Sequence, residues 1–403
     1  MVRGALDIPE ALIHPSERAY RRLLVAMFLA GVATFAQLYS TQGVLTEIAV
    51  DAQVSASVAA LTVSATTLGV AIGVIPWSFL ADRLGSRRSL VIALAAAVAP
   101  GFAGPLIPDV HAFIALRFVE GLCLAGVPAI AVTFILGSVE RPHHLGAAAV
   151  YISGTTIGGL SGRLIAGPIG EFAGWRVGVL AVMSMCALAT LGFVLLLPRS
   201  RRAFGTPPGQ GWSAIRMHLA TPGQRAIYAI AFLSMGCFVS IYNYLGFRLA
   251  APPYLLAPGI ISLLFIAYLA GTWSSSRAGG LTNRFGRVRT VLFGAALMIV
   301  GVAVTMIDAL PVILLGLVIA TAGFFVIHAV ASAWAPDLAV SGRNQASALY
   351  NLSYYAGSSL LGWATGFAFT AWGWNGLSCI VMVAVVLAAT MLVPLRTSRT
   401  QDV

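Results

Sequence analysis

Arg117 and Glu120 stand three residues apart inside the apolar run 111–136, a spacing that brings both side chains onto one helix face. Arg163 and His328 interrupt two other apolar runs. An ionisable group at bilayer depth costs about 2.5–3.5 kcal/mol on insertion scales, so each needs a partner or a water-lined cavity. Glu120 lies nine residues into its run, about 14 Å at helical rise, close to the middle of a roughly 30 Å hydrocarbon core. Arg163 reaches a similar depth from the neighbouring run. A carboxylate with Arg117 and Arg163 as candidate partners can change charge as water or substrate enters, which is what proton coupling requires. Arg163 could instead hold an anionic substrate, and a static ion pair ordering two helices is the plain structural alternative. His328 is a second candidate proton carrier, because an unperturbed imidazole titrates near neutrality, although a lone histidine often only packs and hydrogen-bonds.

Around these charges the runs supply polar and aromatic side chains in three places. Gln37, Tyr39, Thr41 and Gln42 fall in the first run, Tyr242, Asn243 and Tyr244 in the seventh, and Asn351, Tyr354 and Tyr355 in the eleventh. Tyrosine has an apolar face and a polar tip, which suits a small amphipathic ligand. The expected binding set is therefore Gln37, Tyr39, Arg163, Tyr242, Asn243, Tyr244, Asn351, Tyr354 and Tyr355. Cys123, Cys186, Cys237 and Cys379 lack metal-ligand spacing, and the sequence implies no metal and no cofactor.

The elements that position these residues follow from composition. Of 403 residues, 59% are apolar and 9% charged, against roughly 25% charged in soluble domains. Twelve apolar runs long enough to span a bilayer lie near 23–45, 58–79, 90–107, 111–136, 146–170, 175–197, 226–247, 257–276, 290–308, 311–335, 346–369 and 374–394. With the N-terminus inside, twenty of the twenty-four arginines fall on one side, and only Arg176 and Arg248 lie on the other. Arginine concentrates on the cytoplasmic side of membrane proteins, so both termini are expected there, and the net charge of +11 does not point to nucleic acid. The expected organisation is a cytoplasmic tail 1–22, a six-helix half 23–198, a cytoplasmic linker 199–225, a second six-helix half 226–395 and a tail 396–403. The first run has no signal-peptide cleavage pattern and should stay uncleaved.

The two halves echo each other. Asp82-Arg83-Leu84-Gly85-Ser86-Arg87-Arg88 meets Asn283-Arg284-Phe285-Gly286-Arg287-Val288-Arg289 after 201 residues, and Ser78 meets Gly279. Tyr151, Gly158 and Gly174-Trp175 meet Tyr350, Gly357 and Gly373-Trp374 after 199 residues. Each half begins and ends on the same side, so the repeats are parallel, related by an axis along the membrane normal. Gly362 is the counterpart of Arg163, so the task of that arginine belongs to one half only.

Twelve runs in two halves, with Asp82-Arg83-x-Gly85-x-Arg87-Arg88 between the second and third, resemble the major facilitator superfamily, and the resemblance covers nearly the whole chain. It implies an all-α integral membrane fold of two pseudo-symmetric six-helix bundles. Arg117-Phe118-Val119-Glu120-Gly121 is similar to the motif the family associates with proton coupling. Gly158, Gly167 and Pro168 resemble the helix-packing motif of its antiporter branch, with Glu171 where that motif prefers glycine. The charged loop and its second copy, represented by Asp82, Arg83, Gly85, Arg87, Gly279, Arg284 and Gly286, are expected to form a conformational latch. Glu140 and Asp337 are possible partners across the halves.

These readings point to a proton-coupled antiporter that exports a small amphipathic compound or metabolite. Proton-coupled uptake of a small organic solute or anion is the alternative, and a nontransporting scaffold or receptor a remote third. The expected partners are a small-molecule substrate, protons and the lipid bilayer, with the chain acting as a monomer in the bacterial inner membrane. The sequence has no Walker phosphate loop, no HExxH pair and no G-x-S-x-G elbow, so an enzyme is not expected.

Overall fold

A computed structural model describes residues 12–198, 210–392 and 395, and these are predominantly helical. Among them the β-structure is a single bridge between Ile13 and Val139. Inside a bilayer the backbone must satisfy its own hydrogen bonds, and a continuous helix does this within one segment. The first half runs α1 (Arg18–Leu38), a short α2 (Leu45–Asp51), α3 (Ala56–Leu84), α4 (Ser86–Ala103), α5 (Val110–Leu124) continued by α6 (Gly126–Ser138), α7 (His144–Ala173) and α8 (Trp175–Leu196). The second runs α10 (Pro222–Ala250), a short α11 (Pro258–Ser262), α12 (Tyr268–Phe285), α13 (Arg287–Val304), α14 (Leu310–Asp337) and α15 (Arg343–Thr390), with α9 (Gln210–Ala220) between the halves.

Ten helical stretches among the described residues are long and apolar enough to cross a membrane. One of these is α15, whose 48 residues are broken at Gly373 into two limbs. The 30-residue α7 has the length, while its glycines, threonines and Arg163 dilute its apolar character. Counting the two limbs of α15 separately and adding α7, the described residues hold twelve helical stretches long enough to cross. Several helices outrun their apolar runs: α3 continues through Asp82 and Arg83 to Leu84, because a polar turn at the membrane surface still satisfies its backbone as helix.

The repeated loops are repeated in backbone geometry as well. Gly85 and Gly286 have φ of 85° and 82°, and Gly174 and Gly373 have 88° and 64°. Residues with a Cβ rarely adopt this region, so the glycines end one helix and start the next at equivalent places in both halves. Packing repeats too. A Cβ on Gly158 would stand 2.5 Å from the Val32 carbonyl oxygen of α1, and one on Gly357 2.0 Å from that of Phe232 in α10. Bare glycine therefore lets α7 lie on α1 and α15 on α10 at backbone distance.

Two expectations change here. Residues 199–225, expected as a linker, contain α9 and the start of α10. His218 of α9 bonds to the Gly342 carbonyl at 3.0 Å and Ile215 is buried, so a short amphipathic stretch gains a docking face as helix. Residues 199–209 of that linker, residues 1–11 of the N-terminal tail and the 396–403 tail lie outside the described residues. The latch is also held differently. Arg87 donates to the carbonyls of Pro198 and Leu197 at 3.0 and 3.3 Å, beyond the end of α8 in its own half. Asp337 pairs with Arg287, again within one half. Nearness along the same membrane face wins, so neither residue bridges the halves here. Asp82, Arg83 and Arg284 are exposed at helix ends, and Glu140 precedes the single turn Arg141–His143. Gly279, in the place of Ser78, faces open space.

Candidate functional site

Two buried arginines organise the interior, and their surroundings differ. Arg117 of α5 is 2% exposed and Glu120, one turn on, 1%. Arg117 Nη1 donates to Glu120 Oε2 at 2.5 Å. Its Nε donates to the Thr62 carbonyl of α3 at 3.0 Å, and Nη2 to the carbonyls of Gln37 and Leu38 at the end of α1, at 3.1 and 3.0 Å. One guanidinium thus ties three helices and a carboxylate together.

The other carboxylate oxygen, Glu120 Oε1, is buried without a hydrogen-bond partner, as are both polar atoms of the Gln37 amide. Glu120 Oε1 and Gln37 Oε1 converge on Gly101 of α4, 3.2 and 3.3 Å from where a Cβ would stand. Glu120 Oε1 can therefore take a donor, either a proton of its own shared toward Gln37 Oε1 or the Gln37 Nε2 turned toward it.

Arg163 of α7, 1% exposed, reaches the junction between the halves. Its Nε donates to Gln42 Oε1 at 2.8 Å and its Nη1 to the Gly159 carbonyl at 2.5 Å. Its Nη2 donates to the Tyr268 hydroxyl of α12 at 3.3 Å. The guanidinium carbon lies 4.2 Å from the Tyr39 ring centroid, 4.6 Å from that of Phe265 and 5.0 Å from that of Tyr268, within cation–π range. The sequence offers Arg163 either as a second partner of Glu120 or as the holder of an anionic substrate; its hydrogen bonds go to Gln42, Gly159 and Tyr268 and not to Glu120.

On the arginine-poor face the halves are joined around this residue. Gln42 Nε2 donates to Asn243 Oδ1 of α10 at 2.6 Å. The Gly259 N–H donates to Glu171 Oε2 at 2.9 Å. Gly167 abuts Ser262, whose Cβ would lie 2.5 Å from an added methyl. Glu171, which departs from the family's packing motif, thus makes a contact between halves that glycine could not make. Pro168 lies inside α7 beside it.

An aromatic cluster continues from Tyr268 into the second half. Phe238 stacks on Phe324 with centroids 3.9 Å apart and meets Tyr242 and Tyr268 at 5.0 and 5.3 Å. Tyr242 also bonds to Thr321 through its hydroxyl at 2.8 Å. His328 Nδ1 bonds to the Tyr350 hydroxyl at 2.9 Å, and its ring lies 4.8 Å from that of Tyr354, which meets Tyr355 edge-on at 5.2 Å. His328 therefore belongs to this cluster, not to the Glu120 node. Asn351 is half-buried. Tyr244 departs from the set: its hydroxyl donates to the Trp363 carbonyl at 3.1 Å and its ring packs on Phe369. Consecutive helical residues point in different directions, so Tyr242, Asn243 and Tyr244 cannot share one wall.

Gln42, Phe265, Tyr268, Phe238 and Thr62 complete the two nodes and were not in the expected site set. Gln42 carries a weak signal as a polar residue at the end of an apolar run, and Tyr268 as a tyrosine within the aliphatic stretch 263–270. Thr62 contributes a backbone carbonyl, for which side-chain identity gives no signal.

Residues 24–280 match the family model described as Major Facilitator Superfamily. The chain is 34% identical over 388 residues, 96% of its length and 93% of the other's, to the inner membrane transport protein YnfM of Escherichia coli strain K12. A more distant relative, a chloramphenicol resistance protein of Streptomyces lividans, is 29% identical over 307 residues, 73% of this chain and 74% of that one. Among solved structures, a bacterial homologue of the human lysosomal transporter Spinster, in an inward-facing and occupied conformation, superposes with a TM-score of 0.75 at 15% identity, covering 93% of this chain and 96% of that one.

Proposed function

Because the chain belongs to the major facilitator superfamily, whose members are membrane transporters, we propose that it exchanges protons for a small amphipathic compound, exporting the compound by alternating access. The observation that carries the proton part is Glu120: one carboxylate oxygen is held by Arg117, and the other is buried beside the Gln37 amide with no donor. A proton there gives Glu120 a donor to share with the Gln37 amide, and its loss leaves the carboxylate held by Arg117. Water or substrate reaching the node shifts the balance between the two forms. The resistance protein among the relatives supports the export direction. The arginine asymmetry and the inner-membrane relative support a bacterial inner membrane with both termini in the cytoplasm. In that orientation, the face closed by Arg163, Gln42, Asn243 and Tyr268 is the outer one, and the chain works as a monomer.

Proteoliposomes with an imposed pH gradient and an internal pH indicator test this reading. Adding substrate should move protons opposite to it, and Glu120→Gln should abolish that movement while substrate exchange without a gradient persists. Gradient-driven flux unchanged in Glu120→Gln would remove Glu120 from coupling. Protons moving with the solute would make the protein an uptake symporter.

A further inference from the structure

We propose that Arg163 is the counter-ion site for an organic anion, a carboxylate carried on a flat apolar body that lies against Tyr39, Phe265 and Tyr268. The inference rests on the transporter reading and names its substrate class. The two buried arginines make the case by contrast. Arg117 has Glu120 at 2.5 Å, and three backbone carbonyls take three of its four other N–H groups. Among the described residues Arg163 forms no ion pair, whereas Glu120 bonds to Arg117, Glu171 to the Gly259 N–H and Glu47 to Thr46. A guanidinium cannot shed its charge in a protein. A buried cation without an anion is therefore a standing deficit that an anionic ligand removes.

The donor count agrees. Of the five N–H groups on a guanidinium, three are used, by Gln42, Gly159 and Tyr268. One N–H on each terminal nitrogen remains, the number that a carboxylate accepts from arginine. The ligand's body follows from what surrounds the charge. Tyr39 from the first half and Phe265 and Tyr268 from the second offer ring faces, and Phe238, Tyr242 and Phe324 extend the surface behind Tyr268. A small hydrophilic anion such as sulfate would find rings where it needs further donors, whereas an aromatic carboxylate finds both a cation and stacking faces. The site also spans the moving junction. Tyr268 and Phe265 leave Arg163 when the halves separate on this face, while Gln42, Gly159 and Tyr39 stay with it, so closure of this face and anion binding compete for the same guanidinium.

The test uses the purified full-length protein in detergent, with 2-naphthoate, its uncharged isostere 2-naphthamide and inorganic sulfate as probes, and calorimetric binding as the readout. The expected result is that naphthoate binds wild type at least about tenfold more tightly than naphthamide, that sulfate does not compete, that Arg163→Gln erases the preference and that Arg163→Lys retains part of it. Equal binding of the two isosteres, no naphthoate binding up to millimolar concentration, or an undiminished preference in Arg163→Gln would overturn the proposal. If Arg163→Gln does not purify as a monodisperse protein, Tyr39→Leu takes its place. It should weaken naphthoate while leaving octanoate unaffected, and equal effects on both reject the stacking site. Binding is read at equilibrium without a gradient. Loss of proton-coupled flux with the preference intact therefore counts against the transport mechanism alone, and flux without the preference counts against the anion site alone.

Discussion

Gln42→Ala should move the protein toward the state open on its arginine-poor face. Gln42 holds that face shut through one buried bond between the halves, donating to Asn243 Oδ1 at 2.6 Å, while the bond it accepts from Arg163 Nε at 2.8 Å lies within the first half and orients its amide. A buried bond between two neutral amides contributes about 0.5–1.5 kcal/mol. Gln42 and Asn243 are both rehydrated when the halves separate, so the loss falls on the closed state. A destabilisation of about 0.5–1.5 kcal/mol changes the closed-to-open ratio by roughly 2- to 13-fold. Spin labels on Ala173 and Ala251, exposed at the arginine-poor ends of the two halves, report the separation by double electron–electron resonance once Cys123 and Cys379 are replaced. The distance distribution should gain a longer component in Gln42→Ala. It should not in Tyr244→Phe, whose hydroxyl bond to Trp363 lies within one half. A distribution identical to wild type in Gln42→Ala, with the protein intact, would refute the assignment of this contact as a closing bond.

Further outcomes concern the scaffold. Gly158→Ala places a methyl 2.5 Å from the Val32 carbonyl oxygen, and forcing α7 off α1 should cost about 1–3 kcal/mol, read as a lowered unfolding temperature in detergent. Gly146→Ala, with nothing within 4 Å, should be neutral or slightly stabilising, and a similar loss at both positions would contradict the packing argument. Gly85→Ala forces a Cβ residue to φ 85° and should cost about 1–3 kcal/mol; an unchanged midpoint would show that the turn relaxes freely. Arg287→Ala removes an ion pair whose side chains are 35% and 49% exposed, so the stability loss should stay within about 1 kcal/mol. A larger loss would mean that the Arg287–Asp337 contact holds more than its own loop.

The crossings and their repeat were legible because both are written locally. A run of about 20 apolar residues needs no knowledge of its neighbours to be a span, and glycine at 85, 174, 286 and 373 marks places where the backbone needs positive φ. Helix outside such runs was harder to read: α9 forms in a Gly- and Pro-rich stretch because Gly342 and its surroundings give it a surface to dock on. The latch shows a related limit, since Asp337 had several arginines available on its own membrane face and loop chemistry does not say which one lies nearest.

The same division runs through the candidate site. Arg117 and Glu120 are one helical turn apart, so the geometry that joins them is a property of the helix, and the sequence alone determined it. It also determined that Arg163 is a charge in a membrane with no equivalent in the other half. What surrounds Arg163 was decided only by tertiary structure. Gln42 and Tyr268 stand 121 and 105 residues away from it, and they meet it because the halves close on one face. Such contacts depend on how rigid helices rotate and pack against one another, which helical periodicity does not encode across separate segments.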